Sequence, residues 1–126
     1  MQIREYQEWL EAWDKARGWD RVAVSHTLVH ALEELGEVAR LVLQWEGYKD
    51  ADSPEKLHAE LEEELSDVFV FLIKLAYQTG IDVEAALARG QAKADGRYDD
   101  LDAASAMLAR YYVRQAELAR MMTPGE

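Results

Sequence analysis

The chain has 126 residues, a formal net charge of −11, 49% hydrophobic and 31% charged residues, and no cysteine. This composition is typical of a soluble domain with one core, and the acidic charge excludes a general basic face for binding nucleic acid polymers. The lack of cysteine excludes thiolate metal sites and favours a reducing, cytoplasmic location, and the amphipathic N-terminus and short apolar runs lead us to expect neither a signal peptide nor a membrane span.

Helical periodicity and capping signals predict five helices and no β-strand. In chain order the predicted helices cover residues 3–17, about 25–45, 54 to about 78, 83 to about 96, and from 101 onward. Glycines that stop helices are expected at Gly18, Gly47 and Gly80, and N-caps at Ser53, Asp82 and the pair 99–100. The side of the fifth helix that carries apolar residues reads Leu101, Ala104, Leu108, Tyr111, Gln115 and Leu118. The sequence therefore predicts an all-α fold in one domain.

An internal repeat relates the two longest predicted helices. Residues 33–38 read EELGEV, and residues 63–68 read EELSDV. Two antiparallel helices with the same pattern can meet face to face about a pseudo-twofold axis. Such a pairing would bring the acidic residues of both helices together.

The acidic residues of the repeat lie beside the apolar stripe of each helix. Glu34 is at the border of the stripe with Glu37 on its flank, and Glu64 and Asp67 occupy the matching positions. Residues three apart are neighbours on a helix, so each pair can point both carboxylates at one place. Carboxylates at the margin of a core are costly unless a cation compensates them, and Mg²⁺ prefers oxygen ligands. Ordinary solvated helix acids are the alternative, but the same placement on both helices favours a metal site.

Two acidic motifs result, Glu33-Glu34-x-x-Glu37 and Glu64-x-x-Asp67. Together they resemble the signature of the all-α NTP pyrophosphohydrolases, the MazG-like group. The segments that flank the motifs are also similar to that group, namely Asp67-Val68-Phe69, Gly80-Ile81-Asp82 and Arg97-Tyr98. The resemblance covers about residues 1–98. Many relatives carry a lysine and an asparagine just before the closing Arg-Tyr, and here no asparagine aligns with theirs.

The resemblance implies a fold, a reaction and a cofactor. The fold is a four-helix-bundle core that pairs with a second copy, as a homodimer or homotetramer, and here it carries an extra C-terminal helix. The reaction is hydrolysis of a nucleoside triphosphate between the α and β phosphates, which yields a monophosphate and pyrophosphate. The cofactor is Mg²⁺, with Mn²⁺ as a substitute, held by Glu34, Glu37, Glu64 and Asp67. Glu33 would join Glu34 in catalysis by supporting the ligands or positioning the attacking water.

Two other functions remain open at this point. The chain could be a related enzyme that hydrolyses a different pyrophosphate, such as a phosphoribosyl-nucleotide. A catalytically silent helical oligomer could bind a nucleotide or a protein partner. The complete set of acidic residues argues against a silent protein.

Aromatic residues provide candidates for contacts with the nucleotide. Trp9 and Trp13 share one face of the first helix and could stack on the base, and packing in the core is the alternative for each. His30, on the flank of the acidic helix, could contact base, sugar or phosphate. Trp45 lies on the apolar stripe, so we expect it in the core.

Basic residues near the acidic helices could contact the phosphates. Lys74 lies two turns beyond Asp67 on nearly the same flank, and a simple salt bridge is its alternative role. Lys93, Arg97 and Tyr98 belong to the closing segment of the family pattern and are further candidates for substrate binding.

The third predicted helix is apolar on a second face as well. Phe69, Val70 and Ile73 lie opposite its first stripe. A helix that is apolar on both faces is buried on both. In so short a chain, we expect the second face to meet another subunit.

Overall fold

The computed structural model describes residues 1–125, which form five α-helices and one short 3-10 turn and contain no β-strand. The all-α fold is as predicted. None of the helices in these residues is long and apolar enough to cross a membrane. The helices are α1 (Ile3–Arg17), α2 (Val24–Trp45), α3 (Pro54–Gln78), α4 (Val83–Arg97) and α5 (Leu101–Met122), and the 3-10 turn is Trp19–Arg21.

Local capping explains where the helices begin and end. The Ser53 hydroxyl accepts a hydrogen bond from the Lys56 amide at 3.1 Å, and the Asp82 carboxylate accepts one from the Ala85 amide at 2.8 Å. Caps of this kind stabilise a helix by about 1 kcal/mol each. At the end of α1, Gly18 adopts φ 75°, a left-handed conformation that costs glycine little. The predicted bounds are therefore confirmed to within a residue or two.

The chain divides into two compact units, Met1–Ala86 and a second unit that starts at Leu87. The first unit contains α1, α2, α3 and the beginning of α4. The second contains the rest of α4 and all of α5. The single domain expected from the length of the chain stays a prediction.

Helices α2 and α3 form an antiparallel pair at the centre of the first unit. Thr27 hydrogen-bonds to Gln78, and His30 stacks on Phe71, so positions further along α2 meet positions earlier along α3. Leu41 of α2 is fully buried. The other buried apolar residues are Leu10, Ala31, Val38, Leu57, Val68 and Ala76. This pairing is the arrangement that the repeat predicts.

The amide of Gln78 connects the end of α3 to the segment between α1 and α2. Its Oε1 accepts a hydrogen bond from the buried Thr27 hydroxyl at 2.7 Å. Its Nε2 donates to the carbonyl of Val22 at 3.0 Å and to that of Asp20 at 3.3 Å. Because one side chain satisfies three partners, it holds the 3-10 turn against the α2–α3 pair.

The expectation that Trp45 belongs to the core is wrong, since its side chain is 59% exposed. Leu35 and Val42, on the same stripe of α2, are exposed as well. The stripe is wider than the surface that α3 covers, and Trp45 is the last residue of the helix. Periodicity identifies an apolar face but does not show how much of that face one chain can bury.

Candidate functional site

The antiparallel α2–α3 pair brings three of the predicted metal ligands together. One carboxylate oxygen from each of Glu34, Glu64 and Asp67 lies within 4.8 Å of the other two. All three residues are half-buried. We call these three residues the acidic cluster. The repeat predicts this convergence, because Glu34 and Glu64 occupy equivalent positions in its two copies.

The electrostatics of the cluster favour a cation. Loss of solvent raises the pKa of Glu64, and a hydrogen bond with Glu34 and the charges of Glu34, Glu37 and Asp67 raise it further. Two carboxylates can share a hydrogen bond only if one is protonated, so the metal-free cluster resists full ionisation. Oxygens in an octahedral shell with bonds of about 2.1 Å lie about 3–4 Å apart. The donor set and its spacing therefore fit a hard divalent cation.

Two more acids of the first motif lie at the edge of the cluster. Glu37 is exposed and outside the close group of three, and its carboxylate accepts a hydrogen bond from Arg40 Nε at 3.1 Å. Glu33 is exposed too, and its Oε1 lies 4.0 Å from His30 Nδ1. Their roles as ligand and as catalytic residue stay predictions.

An aromatic pocket of about 290 Å³ lies in the first unit, next to the cluster along both helices. His30 is one helical turn before Glu34, and Phe71 is one turn after Asp67. The rings of His30 and Phe71 stack with centroids 5.2 Å apart and an angle of 11° between their planes. The pocket is lined by Trp19, Val22, His26, Thr27, His30, Phe71 and Lys74.

A buried ion pair lies beside this pocket. Lys74 Nζ is 3.1 Å from Asp14 Oδ2, and the two residues are only 8% and 3% exposed. The Tyr77 hydroxyl donates a hydrogen bond to the same carboxylate. Burial, followed by the hydrogen bond and charge of Asp14, raises the pKa of Tyr77 well above its ordinary value. The ion pair links α1 to α3, and a contact between Lys74 and phosphate stays a prediction.

The tryptophans of α1 form a row of aromatic contacts that leads to the pocket. Ring centroids are 5.4 Å apart for Tyr6 and Trp9, 6.0 Å for Trp9 and Trp13, and 5.3 Å for Trp13 and Trp19. The Arg17 guanidinium lies 3.7 Å from the centroid of the Trp13 ring. Trp19 lines the pocket and Trp13 packs behind it, so base stacking by Trp9 and Trp13 stays a prediction.

The remaining candidates lie in the second unit. Lys93 and Arg97 are exposed on α4, and Tyr98, which follows that helix, is exposed as well. Their predicted contacts with substrate stay predictions.

Several residues of the site were not identified from the sequence as site residues. Trp19 and Phe71 line the pocket, and Asp14 is the buried partner of Lys74. The sequence does contain a signal for Phe71, because it follows Asp67 by one helical turn and so lies beside it on α3. Asp14 follows the buried Leu10 by one turn on α1, so it shares the buried face of that helix.

Comparison with known proteins identifies similar sequences. The family model described as the MazG nucleotide pyrophosphohydrolase domain matches residues 23–101. The chain is also 30% identical over 104 residues to an uncharacterized protein, YvdC, of Bacillus subtilis (strain 168). This similarity covers 79% of the present chain and 98% of YvdC. The match to the family model includes both acidic motifs and ends where α5 begins.

Proposed function

Because this chain belongs to the MazG nucleotide pyrophosphohydrolase family, we propose that it hydrolyses a nucleoside triphosphate to a monophosphate and pyrophosphate. The observation that carries the proposal is the acidic cluster, where carboxylate oxygens of Glu34, Glu64 and Asp67 lie within 4.8 Å of one another. Removal of pyrophosphate from unwanted nucleotides would suit a cytoplasmic enzyme.

The cofactor in this proposal is Mg²⁺, with Mn²⁺ as a substitute. Glu34, Glu64 and Asp67 would hold it, and Glu37 would complete the set once it turns from Arg40. A divalent ion supplies neutralisation of phosphate charge and a more acidic water. The raised pKa of Glu64 supports this assignment, because a bound cation would compensate the loss of solvent and the nearby negative charges that raise it.

In the proposed reaction, the three residues of the acidic cluster and the neighbouring Glu33 would have different roles. A water attacks one of the two phosphorus atoms that share the α–β bridging oxygen, and the bond from that phosphorus to the bridge breaks. The ligand carboxylates orient the triphosphate for in-line attack. The exposed carboxylate of Glu33, next to Glu34 in the chain, accepts a hydrogen bond from the attacking water and takes up its proton.

The aromatic pocket would receive the base in this proposal. His30 and Phe71, one helical turn from the cluster, line this pocket together with Trp19. Stacking on aromatic rings contributes about 1–3 kcal/mol per base. Trp9 and Trp13 would support this wall or extend it. Lys74, Lys93, Arg97 and Tyr98 would contact phosphate or sugar.

We also propose that the enzyme works as a homodimer or homotetramer. Phe69 on the second face of α3 is 59% exposed. It lines an apolar groove of about 460 Å³ between α3 and the start of α1. The groove also includes Ile3, Tyr6, Leu65 and Ile73. A second copy that packs in this groove would bury apolar surface that a monomer leaves in water.

A product analysis tests the function. The purified chain is incubated with Mg²⁺ and a phosphoribosyl-nucleotide, and separately with Mg²⁺ and a series of normal, deoxy, methylated and oxidised nucleoside triphosphates. We expect pyrophosphate and monophosphate in equal amounts from at least one of them. Release of inorganic phosphate with a diphosphate product would contradict cleavage between the α and β phosphates, and activity only on a phosphoribosyl-nucleotide would support the alternative substrate.

A further inference from the structure

Among the residues that line the aromatic pocket, Lys74 is the one lysine, and it is nearly buried there. The residue is only 8% exposed, and it lines the pocket together with Trp19, His30 and Phe71. Proteins almost never bury a lysine without a paired charge, and Asp14 supplies that charge at 3.1 Å. The pocket therefore has a fixed cationic side chain among its aromatic rings.

Asp14 holds the Lys74 side chain from behind. Asp14 does not line the pocket, and its Oδ2 receives both the Lys74 ammonium and the Tyr77 hydroxyl. Because two donors of α3 converge on one buried carboxylate, the Lys74 side chain has little freedom to turn to another partner. An ammonium carries three N–H donors and no acceptor. Toward a ligand in the pocket, Lys74 can therefore only donate.

The place of Lys74 along α3 sets which part of a nucleotide it meets. Phe71 follows Asp67 by four residues and Lys74 follows Phe71 by three, so Lys74 lies about 10 Å further along the helix axis than Asp67. With the triphosphate at the acidic cluster, the outer end of the pocket receives the edge of the base that is farthest from the sugar. For Lys74, this is a more specific role than the contact with phosphate or sugar proposed for the basic residues together.

That outer edge differs between two classes of base. At C4 of a pyrimidine or C6 of a purine, uracil, thymine, guanine and hypoxanthine carry a carbonyl oxygen, whereas cytosine and adenine carry an amino group. The carbonyl oxygen accepts a hydrogen bond from an ammonium. The amino group would set N–H donors against N–H donors in a nearly buried place, which leaves both unpaired.

The other polar residues of the pocket do not decide between the two classes. His26 and His30 line it, but a neutral imidazole both donates and accepts. The Thr27 hydroxyl already donates to Gln78, and Thr27 is only 1% exposed. Lys74 is therefore the residue whose chemistry selects the base.

We propose that Lys74 is a specificity-determining residue that donates a hydrogen bond to the carbonyl oxygen at C4 of a pyrimidine or C6 of a purine. The preferred substrates are then triphosphates of uracil, thymine, guanine or hypoxanthine, and those of cytosine and adenine bind weakly. This inference names the substrate class of the proposed function and rests on it for the place of the triphosphate.

Binding of non-hydrolysable analogues tests the role of Lys74. In analogues of UTP and CTP, a methylene group replaces the oxygen that bridges the α and β phosphates, so this bond is not hydrolysed. Calorimetric titration of the full chain with each analogue and Mg²⁺ should give an affinity for the uridine analogue that is higher by roughly 10- to 100-fold, the range of a hydrogen bond to a charged group. The matching inosine and adenosine analogues should give a similar ratio, which tests the proposal without any variant.

Variants of Lys74 test whether this residue causes the preference. Lys74→Gln should bring the ratio of affinities close to one, because an amide both donates and accepts. Since this variant leaves Asp14 buried without its cation and lowers stability, the double variant Asp14→Asn/Lys74→Gln removes both charges together and should also give a ratio close to one. Lys56→Gln makes the same substitution at an exposed lysine near the start of α3 and should keep the wild-type ratio. Circular dichroism checks that each variant folds.

The ratio separates recognition of the base from a structural role. A lysine that only stabilised the fold would affect both analogues equally, so the wild-type ratio would persist in both Lys74 variants, and that result overturns the proposal. Equal affinity of the wild-type chain for the two analogues, a preference for the cytidine analogue, or binding of neither also overturns it.

Pyrophosphate release from UTP and from CTP with Mg²⁺ is measured separately. A preference for the uridine analogue without release of pyrophosphate from any triphosphate would refute the proposed function and leave the role of Lys74 intact. Release from both triphosphates with equal kcat/KM would refute the role of Lys74 alone.

Discussion

At the scale of single residues, the acidic cluster is the feature with the most direct consequence for activity. Glu34→Gln and Asp67→Asn keep the shape of each side chain but remove one charge. We expect both variants to fold and to lose activity by on the order of a hundredfold or more, because a metal-linked contribution amounts to several kcal/mol and each 1.36 kcal/mol is about tenfold in rate. The rate of pyrophosphate release at saturating Mg²⁺ measures the loss.

Glu62→Gln is the matched control for this prediction. Glu62 is exposed on α3 and lies two positions before Glu64, which places it on another side of the helix. It should keep nearly full activity. Full activity in all three variants would show that the acidic cluster is not the catalytic site. Glu62 lines the groove beside Phe69, so an equal loss in Glu62→Gln would mean that this other face of α3 is needed for activity.

Tyr77 gives a prediction about stability and pH. Its pKa is raised from 10.0 mainly by burial and then by Asp14, so the folded state keeps a proton that the unfolded state releases. The contribution of this group to stability is therefore complete below pH 10 and is lost as the pH rises above it. Tyr77→Phe should lower the free energy of unfolding by about 2 kcal/mol at pH 7, and the difference from wild type should narrow above pH 10.

Urea unfolding at several pH values measures this effect. Tyr112→Phe is the control, since Tyr112 lies exposed on α5. A difference between wild type and Tyr77→Phe that stayed constant from pH 7 to pH 11 would show that the Tyr77 hydroxyl does not retain its proton in the folded state.

The sequence predicts some residues of the site and not others for a physical reason. Glu34 and Glu64 are recognisable because the repeat gives them equivalent places on two helices that pair. Asp14 and Lys74 form a buried ion pair between α1 and α3, and no spacing along the chain connects them. A lone aspartate on a helix is ordinarily exposed, so only the packed structure identifies Asp14 as part of the core.

At the scale of secondary structure elements, the segment between α1 and α2 shapes the pocket. Trp19 belongs to the 3-10 turn and contributes a ring face to the aromatic pocket. Trp19→Ala should raise KM by about tenfold and lower kcat by less, because losing a stacking contact weakens the binding of the base. Steady-state kinetics with the preferred triphosphate provides the measurement.

Trp45→Ala is the control for Trp19→Ala, because Trp45 is exposed at the far end of α2. It should leave KM unchanged. Trp13→Ala should have a smaller effect than Trp19→Ala, since Trp13 packs behind Trp19. An unchanged KM in both Trp13→Ala and Trp19→Ala would show that the base binds at a different surface.

The elements differ in how well their sequence predicts them. The five helices have caps or stop signals and enough residues for periodicity, so their bounds are confirmed. The 3-10 turn was not predicted, because three residues are too few to show a period. The exposure of Trp45 was predicted wrongly, because an apolar stripe does not state how much of it a neighbouring helix covers.

At the scale of the whole molecule, the exposed apolar surface has a consequence for assembly. The chain leaves Phe69 and much of the groove around it in contact with solvent. We expect sedimentation at micromolar concentration to show a dimer or tetramer, and Phe69→Glu to shift the protein toward smaller species. A monomer of 14.4 kDa for the wild-type chain would contradict the groove interface.

The internal repeat has an evolutionary consequence. A single helix with the pattern Glu-Glu-Leu-x-acid-Val could bring two copies of its acidic residues together by pairing with a second copy of itself. Duplication and fusion of the gene segment for such a helix would therefore suffice to place both halves of the site in one polypeptide chain. Once fused, the two halves could diverge independently, and the two copies here differ at Gly36-Glu37 against Ser66-Asp67.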